Sequence, residues 1–291
     1  MIQATLRSRC PPSREGDVEM TDSETPRVRV SGQPDELDTT VPHAARVWNY
    51  WLDGKDYYTV DRQAGDEFLS VFPGMKAAAQ ASRGCLGRMV RHMVTEGGVR
   101  QFLDVGTGLP TAENTHDIAQ RADPSCRIVY VDNDPLVLAH ARALLTSTPE
   151  GATWYVHADI REPGTIVDVA GDMLDLTRPV GLMLFGILGL IPEYERARSV
   201  VDTLVDALPS GSYLALFDVD DTDAAAVDAA SRYAESGAIP YNHRSPEQIA
   251  GYFSGLELVE PGVVRCGQWR PEGPAPAGPE TTTRAGLARK P

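Results

Sequence analysis

Residues 101–108 read Gln-Phe-Leu-Asp-Val-Gly-Thr-Gly, an apolar run that breaks into two glycines one residue apart. No other segment limits the fold so strongly. The run has the character of a buried strand. The glycines turn the chain sharply, where a ligand can approach backbone without meeting a Cβ. A second run, Arg127-Ile-Val-Tyr-Val-Asp-Asn-Asp-Pro, follows at about the 20-residue spacing of a nucleoside-binding unit and puts Asp132 at the next strand's end. A carboxylate at that tip can accept from both hydroxyls of a ribose.

The rest of the chain alternates in the same manner. Strands are expected at 101–105, 127–131, 153–158, 180–186, 212–218, 257–265 and 282–289. Helices are expected between them at 111–121, 135–145, 164–175, 193–208, 222–236 and 245–254. Strand 180–186 is apolar on both faces, as a central parallel strand must be. Alternation of this kind predicts an α/β fold, a Rossmann-like sheet of seven strands with helices on both sides. Only a Pro/Gly-rich loop at 271–279 separates the last two strands, so they are expected to pair as an antiparallel hairpin. Three helices, at 42–52, 59–72 and 75–94, precede the first clear strand. The expected organisation is a disordered lead over 1–40, an N-terminal helical cap over 41–98, and a nucleoside-binding domain over 99–291.

A formal charge of −14 argues against nucleic acid or an anionic membrane as the main partner. No apolar stretch reaches the roughly 20 residues needed to span a bilayer. Cys10, Cys85, Cys126 and Cys266 are scattered, with no CxxC pair and no metal-ligand spacing, which fits free thiols in a reducing cytoplasm.

Ligands of open α/β sheets sit beyond the carboxyl ends of the strands. Four such ends carry suitable chemistry. Asp104, Gly106, Thr107 and Gly108 form the first, with backbone N–H groups for an anion and a carboxylate for the loop or an ammonium. Asp132 and Asn133 form the second, for a ribose. Asp159 and Ile160 form the third, the carboxylate for an adenine amino group and the side chain for the base. Phe185 and Gly186 form the fourth, beside the reacting centre. Singly, each is more often a turn or a helix cap; in sequence, they describe a nucleoside cofactor. A dinucleotide fingerprint wants a third small residue where this chain has Leu109-Pro110-Thr111. A zwitterionic amino-acid moiety suits the glycine loop and Asp104 better. S-adenosylmethionine is therefore the expected cofactor, with a nicotinamide dinucleotide a distant alternative.

The flanking motifs carry a closer likeness. Asp104 to Thr111 with Asn114-Thr115-His116, Tyr130 to Pro135, Trp48 to Tyr58 (Trp-Asn-Tyr-Trp-Leu-Asp-Gly-Lys-Asp-Tyr-Tyr), Gly255 to Gly262 and Trp269-Arg270-Pro271 together resemble an actinobacterial family of S-adenosyl methyltransferases, once a domain of unknown function. The resemblance runs from about residue 42 to the C-terminus. It implies a class I methyltransferase fold and S-adenosylmethionine-dependent methyl transfer. The chain departs from the family at three places. Leu188-Gly189-Leu190 stands where relatives tend to carry Leu-His-Phe, and Phe217-Asp218 where they carry Ser-His. Gln80 to Cys85 replaces an Arg-x-Asn-Arg-x-Phe pattern. Two histidines that could act as bases are thus missing, and no catalytic residue is assigned.

In this topology the acceptor pocket is roofed by the N-terminal helices and the segment after strand 212–218. Asn49, Tyr50, Trp51, Tyr57 and Tyr58 are the expected substrate-side residues. Trp51 and Tyr57 have packing of the cap as an equal alternative. His43, His92, His140 and His157 have no evident catalytic partner, and the loop position of His243 puts it near the pocket mouth. The acidic run Asp218, Asp220, Asp221 and Asp223 fits a helix cap better than a metal site, and no metal is expected. The expected activity is methylation of an O- or N-nucleophile on a small molecule of secondary metabolism, with homo-oligomerisation left open. The alternative is a protein that binds S-adenosylmethionine without transferring its methyl group.

Overall fold

The computed structural model describes residues 27–30, 37–110, 113–144, 147–273 and 282–291. Most of the expected lead, together with Cys10, Thr111 and the middle of the 271–279 loop, lies outside them.

One mixed sheet organises the chain. Strands β1 (Arg27–Val30), β2 (Gln101–Val105), β3 (Arg127–Asp132), β4 (Ala152–His157), β5 (Gly181–Phe185) and β6 (Tyr213–Val219) run parallel in the order β1-β4-β3-β2-β5-β6. Strand β9 (Thr283–Arg289) pairs antiparallel with β6, and the short strands β7 (Glu257–Leu258) and β8 (Val264–Arg265) pair antiparallel with β9. The class is as expected, and two details differ. Residues 27–30, inside the expected lead, add an edge strand beside β4. The strand expected over 257–265 is broken, because Pro261 has no N–H to give the ladder and Gly262 at φ 82° turns the chain. The sheet therefore has nine strands where seven were expected.

Between β2 and β5 the chain order reverses, which opens a crevice at the carboxyl end of the sheet. All five residues of β2 are buried, so this strand sits between two apolar layers. Helix α3 (Met75–Thr95) covers one face with Met89 and Met93, beside Ile118 of α4 (Thr115–Ala122) and Val137 of α5 (Pro135–Leu144). Helices α6 (Pro163–Gly171) and α7 (Tyr194–Asp206) cover the other with Ile166, Val200 and Leu204.

A third cluster lies above the crevice. Val47 and Trp51 of α1 (Ala44–Trp51) and Phe68 of α2 (Thr59–Val71) pack on Ala226, Ala230 and Tyr233 of α8 (Ala224–Glu235). Each large side chain buried there contributes about 1.5–3 kcal/mol. Met75, Ala78 and Ala79 of α3 join this cluster while the rest of α3 lies on the sheet, so α3 ties the cap to the sheet layer. Tyr58, just before the helix expected from 59, is the N-cap of α2, and its N–H donates to Asp61 at 2.8 Å. Helix α9 (Pro246–Gly251), capped by Ser245 with Gln248, closes the described helices.

Candidate functional site

The crevice opens into a cavity of about 220 Å³. Its floor is made by strand ends and its roof by α1, α2 and α8.

At the floor, the glycine turn is held by backbone. Gly106 N–H donates to Val131 O at 2.8 Å, and Gly108 N–H donates to Asp132 Oδ2 at 2.7 Å. Gly106 has φ 76°, and a Cβ there would stand 2.7 Å from Ile187, so only glycine fits. Asp104 is buried and accepts from the Thr115 hydroxyl at 2.6 Å. Burial, opposed by that hydroxyl and by the Arg83 guanidinium, pushes its carboxyl up to about 6. Asp132 also accepts from Asp134 N–H at 3.0 Å, and burial raises it against both N–H donors. All ten residues expected on the cofactor side line this cavity: Asp104, Gly106, Thr107, Gly108, Asp132, Asn133, Asp159, Ile160, Phe185 and Gly186. The carboxylate of Asp159 is already engaged, by Arg161 Nε at 2.9 Å and by Asn133 Nδ2 at 3.4 Å.

Other lining residues were not expected, Arg83 and His43 among them. Arg83 of α3 reaches the cavity beside Asp104 and donates to Glu113 O. The helical period points Ser82 and Arg83 toward the sheet, and only the fold shows which strand end they meet. His43 lines the cavity and pairs with Asp134 at 3.0 Å, so it does have a carboxylate partner. Arg46 Nε donates to the same carboxylate at 3.2 Å. Burial works against Asp134 ionising, but His43, the Leu136 N–H and Arg46 hold it down at about 2. The helix that roofs the site is therefore anchored two residues from Asp132.

The substrate-side expectations divide. Asn49 and Trp51 line the cavity, whereas Tyr50, Tyr57 and Tyr58 do not. The Tyr50 hydroxyl donates to Asp66, its ring packs edge-on against Tyr57 at 5.1 Å, and Tyr58 lies under Arg46 at 5.5 Å. These three rings brace the cap from outside. Even Asn49 and Trp51 have structural bonds: Asn49 Oδ1 accepts from Asp56 N–H, and Trp51 Nε1–H donates to Gly65 O. The aromatic wall that the cavity does present comes from Trp48, stacked on Phe217 at 6.0 Å, with Phe185 edge-on to Phe217 at 5.3 Å.

Two departures from the family pattern meet in one place. A Cβ at Gly189 would collide with the Tyr241 ring, and the Tyr241 hydroxyl donates to Asp218 at 2.5 Å. Tyr241 thus occupies space above Gly189 and binds Asp218 Oδ1, while Asp218 Oδ2 stays enclosed with no partner among the described residues. Within the acidic run, Asp220 pairs with Arg265 and Arg284, and Asp223 caps α8.

The donor set suits S-adenosylmethionine: a glycine-lined turn, two buried carboxylates at successive strand ends, and a guanidinium beside them. Comparison with known proteins agrees. The family model for S-adenosyl methyltransferases matches residues 30–291. A DUF574 family protein from Streptomyces avermitilis is 41% identical, with a TM-score of 0.84 over 87% of this chain and 99% of its own. A methyltransferase candidate from Thermobifida fusca is 40% identical, with a TM-score of 0.81 over 88% of this chain and 97% of its own. No curated protein matches the chain.

Proposed function

The chain belongs to the S-adenosyl methyltransferase family and is an S-adenosylmethionine-dependent methyltransferase, and from that premise we propose that it methylates an O- or N-nucleophile on a small molecule of secondary metabolism. The observation that carries the proposal is the two-part cavity, acidic at the strand ends and aromatic under the cap.

The bound cofactor supplies an electrophilic methyl group on a sulfonium. Asp132 accepts from the ribose hydroxyls, and the turn at Gly106 to Gly108 lets backbone approach the amino-acid moiety. Asp104 faces its ammonium and Arg83 its carboxylate. Asp159 and Ile160 hold the adenine, and Asn133 positions Asp159. Phe185, Gly186 and the Trp48–Phe217 wall border the space left for the acceptor, excluding water and fixing its approach. Asn49 and Trp51 hold that wall in place. A cytoplasmic location belongs to the same proposal. The scattered cysteines support it, and no described helix is long and apolar enough to cross a membrane.

Calorimetric titration with S-adenosylmethionine and with NAD tests the cofactor assignment, and micromolar binding of the first alone is expected. Asp132→Ala should weaken that binding by about 1–3 kcal/mol through lost charged hydrogen bonds; unchanged affinity would remove Asp132 from the ribose. Incubation with a panel of small phenols and amines should yield S-adenosylhomocysteine in step with methylated product. Conversion of an acceptor without S-adenosylhomocysteine would overturn methyl transfer.

A further inference from the structure

On the acceptor side of the cavity, one titratable ring remains without an assignment. His243 lies in the loop between α8 and α9 and lines the cavity. That loop is fixed at three backbone points: Asn242 N–H donates to Gly189 O at 2.7 Å, Arg244 N–H to Val219 O at 3.1 Å, and Asp221 N–H to Arg244 O at 3.1 Å. His243 is therefore held between the ends of β5 and β6, the two strands whose tips flank the proposed reacting centre. Its Nδ1 is enclosed and has no hydrogen-bond partner among the described residues. Buried polar atoms are rarely left so, and each exception calls for an explanation, a catalytic role among them.

The other cavity histidine, His43, is committed to Asp134. His243 has the Tyr241 ring edge-on at 6.0 Å, and Asp220 and Asp221 as the charges that reach it. Asp220 is itself paired with Arg265 and Arg284, and Asp218 behind Tyr241 is bound to that hydroxyl. Burial lowers the imidazole below its ordinary range, against the pull of the two carboxylates, so the ring is neutral near pH 7 and able to accept a proton.

Resting on the methyltransferase reading above, we propose that His243 is the base for an aryl hydroxyl acceptor held against the Trp48–Phe217 wall. The hydroxyl oxygen forms its bond to the methyl carbon as the carbon–sulfur bond breaks, and the hydroxyl proton passes to the imidazole. The sulfonium charge is lost and an imidazolium charge gained, so charge balances. The imidazolium then returns its proton to water. The wall selects a flat apolar acceptor through stacking, and Asp220 and Asp221 favour the charged ring.

The test uses 4-nitrophenol, whose phenol and phenolate forms differ in colour near neutral pH, added to the full-length protein saturated with S-adenosylhomocysteine. Calorimetry with S-adenosylhomocysteine comes first. Failure there sinks the underlying cofactor reading, while success followed by no nitrophenol binding sinks only the present proposal. With binding, the phenolate colour of the bound probe should develop at lower pH in the wild type than in His243→Gln, because only the wild type has an imidazole to take the proton. His243→Gln should keep its S-adenosylhomocysteine affinity, which reports an intact fold. An identical titration in wild type and variant would overturn the proposal.

Discussion

At the residue scale, the glycine turn is where sequence and structure agree most closely. Gly106 is held at φ 76° with Ile187 directly beneath, so both backbone conformation and space require glycine. Gly106→Ala should destabilise the fold by about 1–3 kcal/mol and weaken S-adenosylhomocysteine binding. Thermal unfolding with and without ligand measures both, and an unshifted midpoint would show that the turn relaxes freely. That ten expected residues line one cavity was legible because strand ends and spacing are local properties of a chain. Tyr50, Tyr57 and Tyr58 were misplaced for a complementary reason. Their sequence neighbourhood puts them on the cap, but which side of a cap helix meets the cavity depends on how α1 docks. Arg83 and His43 escaped notice because each is defined by a partner far along the chain. Gly189 and Asp218 look like two losses in the sequence, yet in space they are one adjustment around Tyr241.

At the scale of elements, α1 is held to the sheet by a buried charge cluster as well as by apolar packing. Arg46 and His43 converge on Asp134, and Arg46 is almost wholly enclosed. Removing one partner of such a pair leaves a buried charge uncompensated, which costs about 3–5 kcal/mol. In Arg46→Met, His43 and the Leu136 N–H still serve Asp134, so the urea-unfolding free energy should fall by less than that, about 1–3 kcal/mol, and a change below about 1 kcal/mol would mean that the pair is effectively solvated. Strand and helix positions were legible to within a few residues, since periodicity and turn residues record them. Two elements were not. The strand at 27–30 lies in a stretch whose composition reads as a lead, and only its backbone pairing with β4 distinguishes it. The 257–265 segment has strand character throughout, but Pro261 removes a donor and Gly262 turns the chain, so pairing resumes only at Val264.

At the scale of the whole molecule, two buried carboxyls set how stability responds to pH. Asp104 and Asp218 are pushed up to about 6, from an ordinary 3.8, chiefly by burial. Between about pH 4 and pH 6 the folded protein keeps protons that the unfolded chain has released. Stability is therefore fully present below this window, falls as pH rises through it and levels off above it, by about 2–3 kcal/mol for each group. Asp134, held down at about 2, acts oppositely, adding stability as pH rises from about 2 to 4. Urea midpoints measured at pH 4.5 and 7.5 should converge in Asp218→Asn relative to wild type; an unaltered difference would show that Asp218 is ionised throughout. The overall architecture was readable because alternating strands and helices admit few topologies. The Trp48–Phe217 wall was not readable, because roof and floor meet only in three dimensions. One anchoring point connects the two. Asp132 is assigned to the cofactor and Asp134 holds α1, with a single residue between them. Ligand binding at the first carboxylate should therefore be felt as rigidity at the second. S-adenosylhomocysteine should slow hydrogen exchange across the amides of 44–51, and the enzyme would then close its roof before admitting an acceptor, giving turnover a compulsory order.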